Sequence, residues 1–169
     1  MLESLVLAAA LIATPDMKQV PSTPPAVVAT RQDPNQTGIK DSAYKGKFYL
    51  KGRFEPYRKC VAFREGRGQY WGTGSHGLYQ STYQMTAPLV RGAAWMMGPE
   101  LRLMFGVKQG NLIQYRLLHV KGSRWNRFYM DMAFSTVLNW NGPGTGDKHW
   151  RGGRYGCHLS MKHWKVTHG

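Results

Sequence analysis

A chain of 169 residues has room for one domain of ordinary size with an attached segment, and not for two full domains. With 42% hydrophobic and 12% aromatic residues it is not a disordered chain, and its 20 glycines show no three-residue period, which excludes a collagen-like fibre. No apolar run approaches the ~20 residues of a membrane-spanning helix, so a multi-span transmembrane bundle is excluded. The 23 Lys and Arg against 9 Asp and Glu leave a formal charge of +14. Residues 1–40 are neutral, with Lys18, Arg31 and Lys40 against Glu3, Asp16 and Asp33, so the whole excess lies in residues 41–169. Such a field attracts polyanions without choosing among nucleic acid, an anionic cell-wall polymer and a membrane surface.

Residues 1–14 contain an unbroken apolar run from Leu5 to Ala13, the length of a signal-peptide core. The basic start of such a peptide is missing, so two readings stand: a targeting or anchor-like segment, or a helix that packs on the domain or on a partner. Residues 15–43 hold Pro15, Pro21, Pro24, Pro25 and Pro34 among Ser, Thr, Gln and Asn, the composition of an extended linker. The folded domain is expected over 44–164, with a tail at 165–169.

Glu55-Pro56 predicts a helix start, with proline in the first turn and an acid beside the positive end of the dipole. Tyr57, Cys60 and Val61 then form one buried stripe that Gly66 ends. The stretch from Gly66 to His76 is a glycine-rich loop with Tyr70 and Trp71 embedded. Pro88 and Pro99 are each expected to open a helix, the segment from Asn111 to Val120 reads as another, and Trp125–Trp140 keeps a helical period until the Asn141–Gly146 loop stops it. Period-two alternation is scarce. The fold class expected is therefore mainly α, α+β at most.

From Tyr44 onward the carboxylates are Glu55, Glu65, Glu100, Asp131 and Asp147. Glu55 and Glu100 stand beside prolines at expected helix starts, where offsetting the dipole is explanation enough. Asp131 lies among aromatic residues of the late helix and Asp147 in a glycine loop. Glu65 follows Val61 by four residues and stands at the last turn before an aromatic and glycine loop. Two roles fit it: a carboxylate pointing into a cleft, or a solvated helix-end residue paired with Arg64, Arg67 or Lys59.

The stretch from Cys60 to Tyr70, with Glu65 inside it, and the Gly77-Leu-Tyr-Gln80 turn that follows resemble the lysozyme-like lytic transglycosylases. The group they are most similar to comprises the resuscitation-promoting-factor and phage transglycosylase-like (endolysin) domains. Arg154-Tyr-Gly-Cys157 fits the family's closing cysteine. The family has Ser after its Glu where this chain has Gly66, and residues 81–121 are longer than in its compact members. The resemblance implies a lysozyme-like single domain with peptidoglycan glycan strands as partner; no cofactor and no metal is expected, and a bond between Cys60 and Cys157 would imply an extracytoplasmic location. The resemblance also implies cleavage of the β-1,4 bond between N-acetylmuramic acid and N-acetylglucosamine, with Glu65 as general acid and then general base.

On that reading Gln80 and Tyr79 hold the sugar, Gly77 shapes their turn, and Tyr70 and Trp71 flank the catalytic carboxyl, whose neighbours Arg64 and Arg67 are expected to face outward. One acid suffices because the C6 hydroxyl of the muramic residue attacks intramolecularly, whereas two-carboxylate glycosidases need a nucleophile or a base for water. The resemblance also pairs Cys60 with Cys157, with two buried free thiols as the alternative. A Cys60 nucleophile in a Cys/His peptidase is a rival enzyme class, and His158, His163 and His168 match no zinc pattern. The non-enzymatic alternative is a basic module for cell-wall polymer or nucleic acid, since Lys and Arg alternate with aromatics in 121–130 and 148–155.

Overall fold

Helix α1 spans Glu55–Gly66, starting at the Glu55-Pro56 pair and burying Tyr57, Cys60 and Val61 as the spacing predicts. It ends on Arg67 in the left-handed region at φ 51°, whose N–H donates to the Phe63 carbonyl while that of Gly68 donates to Ala62. The structure, a computed structural model, describes residues 21–30, 32–151 and 156–164. The apolar segment 1–14, residues 15–20, Arg154 and Tyr155 of the closing motif, and the tail 165–169 lie outside the described residues.

A small antiparallel sheet follows α1, with β1 (Thr73–Gly74), β2 (Tyr79–Gln80) and β3 (Met85–Thr86) in that order. Helix α2 (Ala87–Phe105) begins at Thr86, whose hydroxyl accepts from the Leu89 N–H. Helix α3 (Val107–His119) runs back along it. Helix α4 (Arg127–Asn139) is buried at every position, so it is the axis around which the rest packs. The fold class is thus mainly helical with one small sheet. Among the described residues no helix is long and apolar enough to cross a membrane.

Two expectations are corrected. Pro99 does not open a new helix but sits inside α2. A proline there removes the donor to the carbonyl four residues back. The Gln114 amide of α3 supplies one instead, donating to Trp95 O at 3.0 Å and Ala94 O at 3.3 Å. The proline-rich stretch is not a free linker over its described part. Val27 and Ala29 are buried, Val28 bridges to Trp125, the Asn126 N–H donates to Val27 O at 2.8 Å and the Tyr129 hydroxyl to Pro25 O at 2.7 Å. Further on, Gln36 is buried and its carbonyl accepts from the Tyr70 N–H.

The interior holds a charged network. Arg58 of α1 donates through Nη1 to the hydroxyls of Tyr83 (2.6 Å) and Tyr70 (3.0 Å) and to Asp131 Oδ1 (3.4 Å), and through Nη2 to Glu55 Oε1 (2.6 Å). Both tyrosine hydroxyls also donate to Asp131 Oδ1 at 2.6 Å. Asp131 Oδ2 accepts from the Ala43 N–H at 2.8 Å and lies 3.4 Å from the Arg127 guanidinium. Burial, followed by the Asp131 charge for Tyr70, pushes both hydroxyls up, so they stay protonated and remain donors. The Cys60–Cys157 disulfide joins α1 to the far end of the domain, with Cα atoms 5.7 Å apart. Closing a loop across a separation of 97 residues stabilises by about 4–5 kcal/mol in the chain-entropy view.

Removing one partner of this network leaves an uncompensated charge, so Asp131→Ala is expected to cost about 3–5 kcal/mol in denaturant unfolding. A second buried carboxyl carries a pH signature. Glu100 is 5% exposed, and its Oε1 accepts from the Tyr44 hydroxyl (2.6 Å) and the Lys47 N–H (2.7 Å), while Oε2 is buried without a partner. Burial raises its pKa above 4.5 despite those bonds. Because the folded value lies above the unfolded one, Glu100's contribution is present at low pH and is lost as pH rises through the folded value. Wild type and Glu100→Gln are therefore expected to have similar unfolding free energies below about pH 4, with the wild type falling behind as pH increases.

Candidate active site

The carboxylates of the domain sort by what holds them. Asp131 and Glu100 are buried, and Glu55 is bound to Arg58 with its side chain 13% exposed. Asp147 pairs with the exposed Arg151 at 2.9 Å. Glu65 is the most open of the five, with 27% of its side chain exposed, in the last turn of α1. The expectation that Arg64 faces outward is corrected. Its side chain is 6% exposed, and its guanidinium donates to the Trp150 carbonyl and lies against Glu65 Oε1 at 2.7–2.8 Å. It turns inward because the Trp150 carbonyl at the end of the Thr145–Trp150 turn offers it an acceptor. Arg67 stands apart, exposed, with its guanidinium 4.6 Å from the centre of the Phe63 ring.

The end of α1 meets the β2–β3 turn, just beyond the Gly77–Gln80 segment, by a close approach of backbones. A Cβ at Gly66 would lie 2.5 Å from Thr82 Cα and 2.6 Å from its carbonyl oxygen, so only glycine lets the end of α1 settle on the β2–β3 turn. The Thr82 hydroxyl adds a bond to the Ala62 carbonyl at 3.1 Å. This contact accounts for glycine at the position after Glu65.

The five other predicted site residues divide. Tyr79 is 40% exposed on β2, and Leu78 beside it is 67% exposed. Gly77 is exposed at φ 93° and completes a left-handed run with Ser75 (φ 45°) and His76 (φ 58°), which turns β1 into β2. Trp71 is half-buried between Tyr70 and β1 in sequence. Gln80 faces inward at 6% exposure, where its Oε1 accepts from the Gly122 N–H at 2.6 Å. It ties the sheet to the turn that precedes α4, and its oxygen is engaged there. Tyr70, at 1% exposure with its hydroxyl on Asp131, belongs to the core network and not to a sugar-facing wall.

Cys60 is in the disulfide and offers no thiolate, which removes the Cys/His peptidase arrangement from the oxidised protein. Among the described residues there is no group of three or more His, Cys, Asp or Glu able to hold a metal ion.

Gly66→Ala is expected to destabilise by about 1–3 kcal/mol through overpacking against Thr82. Thermal unfolding of this variant beside Gly92→Ala, where a Cβ would meet nothing within 4 Å, separates the close contact from a general loss of glycine.

No protein-family model, no curated protein and no solved structure matches this chain.

Proposed function

We propose that the protein cleaves the glycan strands of peptidoglycan at the bond from N-acetylmuramic acid to N-acetylglucosamine, with Glu65 as the acid and base. The observation that carries the reading is the combination of openness and position at Glu65. It is the most exposed of the five carboxylates from Tyr44 onward, and its helix end rests on the turn that follows Tyr79 and Gln80. Asp131, Glu100 and Glu55 are engaged in bonds that hold the fold together, and Asp147 pairs with the exposed Arg151.

In the first step the protonated Glu65 carboxyl gives its proton to the glycosidic oxygen as the C1–O bond breaks, releasing the N-acetylglucosamine hydroxyl. The C6 hydroxyl of the muramic residue then attacks C1, and Glu65 takes the proton that this hydroxyl loses. The product is a 1,6-anhydro end, no water is consumed, and the carboxyl returns to its starting form. The Arg64 guanidinium lies on Oε1, so proton transfer runs through Oε2 with the carboxyl held in a fixed orientation. Tyr79 offers a ring for a sugar face, and Gln80 fixes the strand that carries it. The disulfide suits an oxidising, extracytoplasmic site of action, where the +14 charge draws the protein to anionic wall polymers.

Glu65→Gln keeps the shape of the side chain and removes the acid. It is expected to lower release of soluble fragments from purified peptidoglycan by at least about a hundredfold, with the fold retained by circular dichroism. Asp147→Asn is expected to retain activity. Mass spectrometry of wild-type products reads the chemistry: anhydro ends fit the intramolecular route, whereas reducing ends mean that water attacks. Undiminished clearing by Glu65→Gln would overturn the assignment.

A further inference from the structure

The α2–α3 hairpin carries a surface that the Glu65 site does not use. Along α2, Arg91, Trp95, Pro99 and Leu103 recur at four-residue spacing and are exposed, opposite the buried Val90, Ala94, Met97 and Leu101. Along α3, Lys108, Leu112, Tyr115 and His119 are exposed, opposite the buried Gly110, Ile113 and Leu117. The helices approach closely, since a Cβ at Gly110 would lie 2.6 Å from the Arg102 backbone, and Gln114 bonds across to the Trp95 carbonyl. Both stripes belong to the exposed surface of one hairpin, that of α2 opposite its buried side and that of α3 facing away from α2.

The exposed surface of this hairpin carries five large apolar side chains. Trp95 is 66% exposed, Leu103 69%, Val107 67%, Tyr115 60% and Leu112 41%. Its charges have one sign. Arg91, Arg102, Lys108, Arg116 and Lys121 have no exposed acidic counterpart, because the single acid between residues 87 and 121, Glu100, is buried.

We propose that the exposed surface of the α2–α3 hairpin docks on a lipid bilayer that carries anionic headgroups. Exposed Trp, Tyr, Leu and Val beside Lys and Arg are what an interfacial helix pair presents. The rings and aliphatic side chains enter the boundary between headgroups and acyl chains while the cations meet phosphate. A second copy of the same face would bring like charges together. Nucleic acid would satisfy the cations but would leave Leu103, Val107 and Leu112 with nothing to stack on.

The test is sedimentation of the full chain with phosphatidylcholine vesicles, with and without phosphatidylglycerol, at physiological ionic strength. Trp95→Ser with Tyr115→Ser keeps the charge and is expected to lower binding to phosphatidylglycerol vesicles about tenfold. Arg91→Gln with Lys108→Gln and Arg116→Gln is expected to abolish the preference for phosphatidylglycerol. Leu103→Ser with Leu112→Ser probes the same face independently should the aromatic pair unfold, as read by circular dichroism. Three results would overturn the proposal: no vesicle binding by the wild type, binding by the aromatic and aliphatic variants equal to wild type, or Trp95- and Tyr115-dependent binding to DNA or an acidic protein without vesicle binding. Loss of vesicle binding with peptidoglycan cleavage intact separates this face from the Glu65 reading.

Discussion

The structure depends on one buried network of charges centred on Arg58 and Asp131. Arg58 and Asp131, 73 residues apart in the chain, are both buried, and each is tolerable only because opposite charges and hydrogen-bond partners surround it. Around them the network draws in Glu55 from the start of α1, Tyr70 from the glycine-rich loop, Tyr83 from the β2–β3 turn, Arg127 from α4 and the backbone of Ala43. Segments with little apolar surface of their own are thereby fixed to the central helix. The glycine-rich loop is the clearest case, since Tyr70 anchors it from below.

Helix α1 is consequently held at three levels along its length. Glu55 and Arg58 lock its first turn, the Cys60–Cys157 bond clamps its middle, and Gly66 seats its last turn on Thr82. Glu65 therefore sits at the end of a rigid element, with Arg64 anchoring it from the same turn. A site built on such a helix keeps its geometry better than one carried on a free loop.

Much of this was legible in the residues. Glu55-Pro56 and Gly66 bracket α1 because proline, dipole and glycine effects act within a few residues and need no tertiary partner. The late helix and the mainly helical class follow from periodicity in the same way. Pro99 misled because the rescue of its orphaned carbonyl comes from Gln114, on another helix and invisible to local spacing. The proline-rich stretch misled because its composition is that of a linker, while its fixation rests on backbone bonds to Arg124 and Asn126 and on the small side chains of Val27 and Ala29. Glu65 could be singled out by elimination. That Gln80 and Tyr70 turn inward could not, because two-residue strands give no alternation to read. Asp131 did carry a signal: a carboxylate among the aromatic residues of a buried helix must find a cation, and Arg127 stands four residues before it, whereas Arg58 comes from another helix and is invisible to local spacing.

The chain has only two cysteines, and they are bonded to each other. Oxidative maturation thus has no wrong intramolecular pairing to choose, and a disulfide isomerase has nothing within a single molecule to correct. Cys60, however, waits for a partner made almost a hundred residues later, so the staple can close only after nearly the whole domain has emerged. Until then the lone thiol can pair only with a cysteine of another chain, so a linked dimer, and not a scrambled monomer, is the wrong product open to it.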